Sequence, residues 1–115
     1  MKNTGEVAER LIELCGNNEF LRAEQELYDE NVIHIEINGQ EFKGFDEVLL
    51  KEKQFLENLV NKPVVKISEP IISGDYFSVR MQMEADHKQN GHRSMDELIV
   101  YRILNGKIVL VRCYA

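Results

Sequence analysis

Arg93-Ser94-Met95-Asp96-Glu97-Leu98-Ile99-Val100-Tyr101-Arg102-Ile103-Leu104, then Asn105-Gly106, then Lys107-Ile108-Val109-Leu110-Val111-Arg112-Cys113-Tyr114-Ala115, is the stretch that sets the fold. β-branched and other apolar residues flank Asn105-Gly106, the dipeptide that best tolerates the positive φ angles of a type I′ turn, so the segment reads as a β-hairpin. A two-residue loop sets Leu104 opposite Lys107, Ile103 opposite Ile108, Tyr101 opposite Leu110 and Ile99 opposite Arg112. Glu97, Ile99, Tyr101, Ile103, Ile108, Leu110, Arg112 and Tyr114 then share one face; Leu98, Val100, Val109, Val111 and Cys113 share the other. Both faces are largely apolar, so both are expected to be covered. The first also carries a carboxylate, a phenol and a guanidinium, and apolar walls with a few polar groups describe a ligand pocket.

Upstream, Tyr76 to His87 alternates, with Phe77, Val79, Met81, Met83 and Ala85 facing one way. Asn90-Gly91 turns it into the hairpin. A two-residue turn there would set Glu84 opposite Glu97, a like-charge pair. A three-residue turn or a bulge pairs Met81 with Ile99 and Val79 with Tyr101, and is the preferred register. Val64 to Ile72 reads as a strand that Pro70 marks as an edge or a bulge. Val32 to Ile37 alternates too, with Val32, His34 and Glu36 on one face; Asn38-Gly39 leads into a short strand at Gln40 to Lys43.

Three helical patterns complete the chain. Asn3 with Glu6 suits a capping box ahead of Val7, Ala8, Leu11, Ile12, Leu14 and Cys15. Gly16-Asn17-Asn18 stops that helix, and Asn18 can cap a second one from Glu19 to Tyr28, striped by Phe20, Ala23 and Leu27. A third runs from Phe45 to about Val60, with Asp46 and Glu47 in its first turn, Glu52 inside its apolar stripe and Lys51 on the flank. The order α-α-β-β-α-β-β-β-β predicts an α+β domain over residues 1–115: three helices on one face of a strongly curved antiparallel or mixed sheet, enclosing a cone-shaped cavity.

A formal charge of −6, a pI near 5.1 and no Lys/Arg cluster make nucleic acid and anionic membrane poor partners. No apolar run approaches the ~20 residues of a membrane span. Met1 to Glu6 lacks the apolar core of a signal peptide. Cys15 and Cys113, both in apolar surroundings, read as buried reduced thiols of a cytoplasmic protein.

The chain resembles the SnoaL-like domains of the nuclear-transport-factor-2-like superfamily. The resemblance rests on the element order, on Tyr28-Asp29-Glu30-Asn31-Val32-Ile33-His34, on Phe42-Lys43-Gly44 opening the third helix, and on Val100 to Ile108. It implies the cone fold, and a superfamily of isomerases, hydrolases, cyclases, dehydratases and non-catalytic binders. Matched to the ketosteroid-isomerase pattern, Glu36 falls where the proton-shuttling aspartate stands. The oxyanion-hole tyrosine falls near Leu11, which has no hydroxyl, and the protonated acid of a late strand falls near Glu97 or Ile99. That weighs against steroid isomerisation and leaves general acid–base chemistry open.

Glu36 is the first catalytic candidate: a carboxylate in apolar walls is raised by desolvation and works as a base near neutral pH. His34, two residues away on the same face, orients it or joins it, with a satisfied rim histidine as the plainer role. His34 and Glu36 alone do not make a zinc site, and no metal or cofactor is expected. Glu97 is the second acid. Tyr101 and Arg112 suit a carbonyl or carboxylate, unless Glu97 and Arg112 form only a structural ion pair; Ile99 is a wall, and Lys51 reaches the rim or snorkels. The expected ligand is a small apolar molecule, handled by a cofactor-free isomerase, lyase or hydrolase, or held by a non-catalytic binding or dimerising module. With the helices on the concave side, Leu98, Val100, Val109, Val111 and Cys113 are left as an apolar outer patch, which predicts a homodimer through that face.

Overall fold

Asn3 starts the first helix as its side chain dictates: Oδ1 accepts from the Glu6 N–H at 2.9 Å, and Glu6 Oε1 accepts from the Asn3 N–H at 3.1 Å. The computed structural model describes residues 2–115. Helix α1 spans Thr4–Gly16, α2 Phe20–Leu27 and α3 Phe45–Glu57. The strands are β1 (Tyr28–Ile35), β2 (Glu41–Lys43), β3 (Val64–Ile67), β4 (Ile71–Ser73), β5 (Tyr76–His87), β6 (Gly91–Leu104) and β7 (Lys107–Tyr114). None of the described helices is long and apolar enough to cross a membrane.

Asn18 does not cap α2, which has no side-chain cap. It ends α1 instead, in the left-handed region at φ 61°. Its N–H donates to Cys15 O at 3.0 Å, and the Glu19 N–H donates to Leu14 O at 2.9 Å. This is a Schellman motif, and asparagine is among the few residues besides glycine that accept its backbone angle. The side-chain Oδ1, freed from any capping duty, is buried without a hydrogen-bond partner among the described residues.

The strands form one mixed, open sheet in the order β2-β1-β7-β6-β5-β3, with β4 beside β3 on the same edge of β5. All neighbours are antiparallel except β1 and β7. The expected strand from Val64 to Ile72 is divided at Ser68-Glu69-Pro70. Proline has no N–H for a ladder bond. Ser68 bridges the break, its Oγ accepting from the Arg80 N–H at 2.8 Å and its N–H donating to Arg80 O at 2.9 Å.

Two registers differ from expectation. A three-residue turn, Lys88 to Asn90, does join β5 and β6, but Met81 pairs with Glu97, Val79 with Ile99 and Phe77 with Tyr101. The shift brings Phe77 and Tyr101 face to face, ring centroids 4.6 Å apart. In the second hairpin Asn105 (φ 52°) and Gly106 (φ 76°) make the expected turn, and Leu104–Lys107 and Ile103–Ile108 pair as read. Beyond them Val109 is an extra residue opposite the Arg102–Ile103 step, so Tyr101 pairs with Val111 and Ile99 with Cys113. A β-bulge reverses the facing of everything past it. Val111 and Cys113 therefore point inward and are buried, while Arg112 is exposed with its guanidinium 5.4 Å from the Tyr114 ring centre. The expected Glu97–Arg112 pairing does not occur.

Val7, Leu11 and Leu14 of α1, Leu27 of α2, Val48 of α3, and Val32, Phe77, Val79, Ile108 and Val111 of the sheet form the fully buried core. Each such side chain contributes about 1.5–3 kcal/mol by leaving water. The outer face carries Leu98, Val100, Leu110 and Tyr114, interrupted by Arg102, Arg112 and an Arg80–Asp96 ion pair at 2.7 Å. It is less apolar than expected, because the bulge exchanges Val111 and Cys113 for Leu110 and Tyr114 and brings Arg112 out with them.

Asn18→Gly is expected to leave stability unchanged or higher, since glycine accepts the backbone angle and removes an unpaired buried oxygen. Asn18→Val should lose about 1–2 kcal/mol in urea denaturation, the cost of a left-handed β-branched residue. Equal losses in the two variants would contradict the assignment.

Candidate functional site

The inner face of β1, β5, β6 and β7 and the three helices line a cavity of about 130 Å³. Apolar walls come from Leu11, Phe20, Phe55, Met81, Met83, Ile99 and Val111. Into it point His34, Glu36, Lys51, Glu97, Tyr101 and Cys113, and from below Cys15, Glu24, Tyr28 and Glu52. Of the sequence candidates, all but Arg112 line it.

At one end the Lys51 ammonium contacts Glu36 Oε1 directly, and His34 Nε2 lies 3.6 Å from the same oxygen. Cys113 Sγ is 3.7 Å from His34 Nε2. Glu36 was expected to be raised by burial. It is lowered to about 2, by His34 first and then Lys51, with burial opposing. By distance Lys51 is the tighter partner. Burial works to lower the Lys51 ammonium, but Glu36 outweighs it and the net direction is up. Lys51 is thus an ion-pair partner on the third helix rather than a snorkelling surface lysine.

The other carboxyls go the opposite way. Burial raises Glu97, with Cys113 working against it. Burial and then Glu52 lift Glu24 to about 9, while Lys51 pulls it down. Burial raises Glu52 as well, opposed by Lys51 and His34. Glu24 is only 7% exposed, and its Oε1 has no hydrogen-bond partner among the described residues; neither does His34 Nδ1. Tyr28 and Tyr101 are held far above the ordinary phenol value by burial.

Glu24 and Cys113 are site residues that the sequence reading missed. Glu24 had a signal: it stands four residues after Phe20 and three before Leu27, on the apolar stripe of α2. Cys113 had none, since its facing depends on the bulge. His34, Glu36 and Cys113 offer donor atoms within 4.8 Å of one another, a spacing that three metal ligands can share. Lys51 supplies positive charge there through its contact with Glu36, and burial pushes the Cys113 thiol up to about 12.

The SnoaL-like domain family matches residues 2–114, and the chain belongs to that family. No curated protein matches it in sequence. A candidate SnoaL-like polyketide cyclase from Mesorhizobium loti superposes with a TM-score of 0.88 at 23% identity, covering 99% of this chain and 100% of the other. An NTF2-like protein of unknown function from Burkholderia pseudomallei gives 0.78 at 18% identity, over 99% and 91% of the two chains. A protein with a ketosteroid-isomerase-like fold from Catenulispora acidiphila, solved in complex with trimethylamine, gives 0.75 at 12% identity, over 98% and 87%. These likenesses establish the α+β cone of the NTF2-like fold.

Glu24 makes stability depend on pH. Between its ordinary 4.5 and about 9, the folded state keeps a proton that the unfolded chain gives up. Its contribution is therefore full below pH 4.5 and is lost as pH rises towards 9. Glu24→Gln should match the wild type at low pH and gain on it as pH rises through that window, by at most about 1.4 kcal/mol for each pH unit crossed. Thermal midpoints measured across the range test this; parallel profiles would overturn it.

Proposed function

We propose that this chain binds a small, largely apolar molecule in the cone cavity and moves a proton on it without a cofactor. One observation carries the reading: Glu36 and Glu97 line the same cavity with their acidities pushed in opposite directions. Environments that separate two carboxyls in this way assign the ionised partner and the proton carrier. Glu97 donates to an oxygen of the ligand, Glu36 is the ionised acceptor, and His34 and Lys51 hold Glu36 in place. Tyr101 and Ile99 shape the wall. The cavity volume supports a ligand of about one ring, since an apolar cavity of ~150 Å³ accommodates benzene. Trimethylamine, held by the Catenulispora protein, is a molecule within this size. Arg112, on the outer face, has no part in the reading.

A base held at about 2 is a weak one at neutral pH, and that ion pair favours the second reading, a binding module without catalysis. Deuterium exchange into cyclohexanone, followed by NMR, separates the two. Catalysis predicts exchange above the buffer rate, lost by about 100-fold in Glu36→Gln and in Glu97→Gln with the fold intact. Lys51→Met should move the acid limb of the exchange profile upward, toward the ordinary carboxylate range. Exchange at the buffer rate, or unaffected by either glutamine, would remove the catalytic reading.

The outer sheet face supports a further part of the proposal, pairing of two copies. Leu98, 47% exposed, pairs with Tyr114, 43% exposed, and Val100 and Leu110 follow further along the same two strands. Val100→Lys would set an unpaired charge amid that group, where burial is costly. Light scattering should show the wild type as a dimer and the variant shifted to monomer. A wild-type monomer at micromolar concentration would end the proposal.

A further inference from the structure

The cavity contains four carboxyls, Glu24, Glu36, Glu52 and Glu97, but Lys51 is the one lysine or arginine that lines it among the described residues. Lys51 is already spent on Glu36. An anionic ligand therefore finds no free fixed cation. A neutral ligand without a hydrogen-bond donor leaves Glu24 as it is, nine-tenths buried with Oε1 unpaired. Such an oxygen costs free energy until a donor reaches it.

We infer that the Glu24–Glu52 end of the cavity is the seat of a small protonated amine, with the amine's apolar substituents lying against the walls under α1 and α2. This names the ligand class for the site above and rests on the reading that the cavity holds a small molecule. An ammonium brings several donors to one point and matches Glu24 Oε1 with a charge-assisted hydrogen bond. Phe20, Tyr28, Phe55 and Tyr101 supply aromatic walls of the kind that suit an organic cation. The volume of about 130 Å³ leaves space for a short branched chain or one ring beyond the nitrogen.

The charge balance makes the inference specific. Glu24 is faced by Glu52 and Lys51 from α3, Tyr28 from β1, Tyr101 from β6 and Cys15 from α1. None of these but Lys51 brings positive charge, so without a ligand Glu24 keeps its proton near neutral pH. An arriving ammonium stabilises the carboxylate, and Glu24 gives its proton to solvent as the ion pair forms.

Three ligands of one carbon skeleton test this by calorimetry near neutral pH: isopentylamine, isopentyl alcohol and isovalerate. The amine should bind at least about tenfold tighter than the other two. Its heat should vary with the ionisation enthalpy of the buffer, the mark of a released proton. Glu24→Gln should weaken the amine by about tenfold, abolish the proton release and leave the alcohol unchanged. An alcohol that binds as tightly as the amine overturns the cation assignment and leaves the small-molecule reading standing. Amine binding that releases no proton and ignores Glu24→Gln also overturns it. If none of the three binds, the small-molecule reading fails along with it.

Discussion

Val109 is one residue more than the β6–β7 ladder has partners for, and the chemistry of the cavity depends on it. Strand side chains alternate with a period of two, so a single unmatched residue exchanges inside for outside along the rest of the strand. Without it Arg112 would face the carboxyls and Cys113 would face water. With it Cys113 sits 3.7 Å from His34, and the guanidinium is removed to the surface. The cavity is thereby left acid-rich. That is the condition under which Lys51 is committed to Glu36 and the remaining carboxyls have no counter-charge.

The same walls act in opposite directions on two glutamates. Glu36 stands just past the end of β1, where a lysine from α3 and a histidine from its own strand reach it. Specific partners there outweigh desolvation. Glu24 lies on the buried face of α2 with only an acid and a distant lysine nearby, so desolvation prevails. Burial alone thus says little about the direction of a shift; what decides it is whether a cation can reach the group within its own shell.

Much of the fold was legible in the sequence because local chemistry specified it. Asn3 with Glu6, Asn105-Gly106 and Pro70 each act through a few neighbouring atoms, and each took effect where it was read. The bulge was not legible: Ile108-Val109-Leu110-Val111 is apolar throughout, so no polar residue marks the slip. The register between β5 and β6 was missed for a related reason, since the turn length was right but not the pairing that follows from it. Glu52 was legible within the stripe of α3, and Glu24 carried the same helical signal on α2. His34, Glu97, Ile99, Tyr101 and Lys51 reach the cavity as read because each lies on an element whose facing the alternation or helical period already determines, and Glu36, just past β1, keeps the facing of that alternation.

The break at Ser68-Glu69-Pro70 has a bearing on how the molecule behaves among other copies of itself. Val64 is 70% exposed, Ile71 74% and Ile72 48%, and all lie on the outermost strands beside β5. An unbroken strand of such residues would present a long row of free backbone donors and acceptors, the template from which ordered aggregates grow. Here the row is cut into pieces of four and three residues, and Ser68 ties the gap back to Arg80. An incoming strand can match neither piece for long. The proline that interrupts the sheet thus guards its open side, and lets the chain keep apolar side chains there without the self-association that a continuous edge would invite.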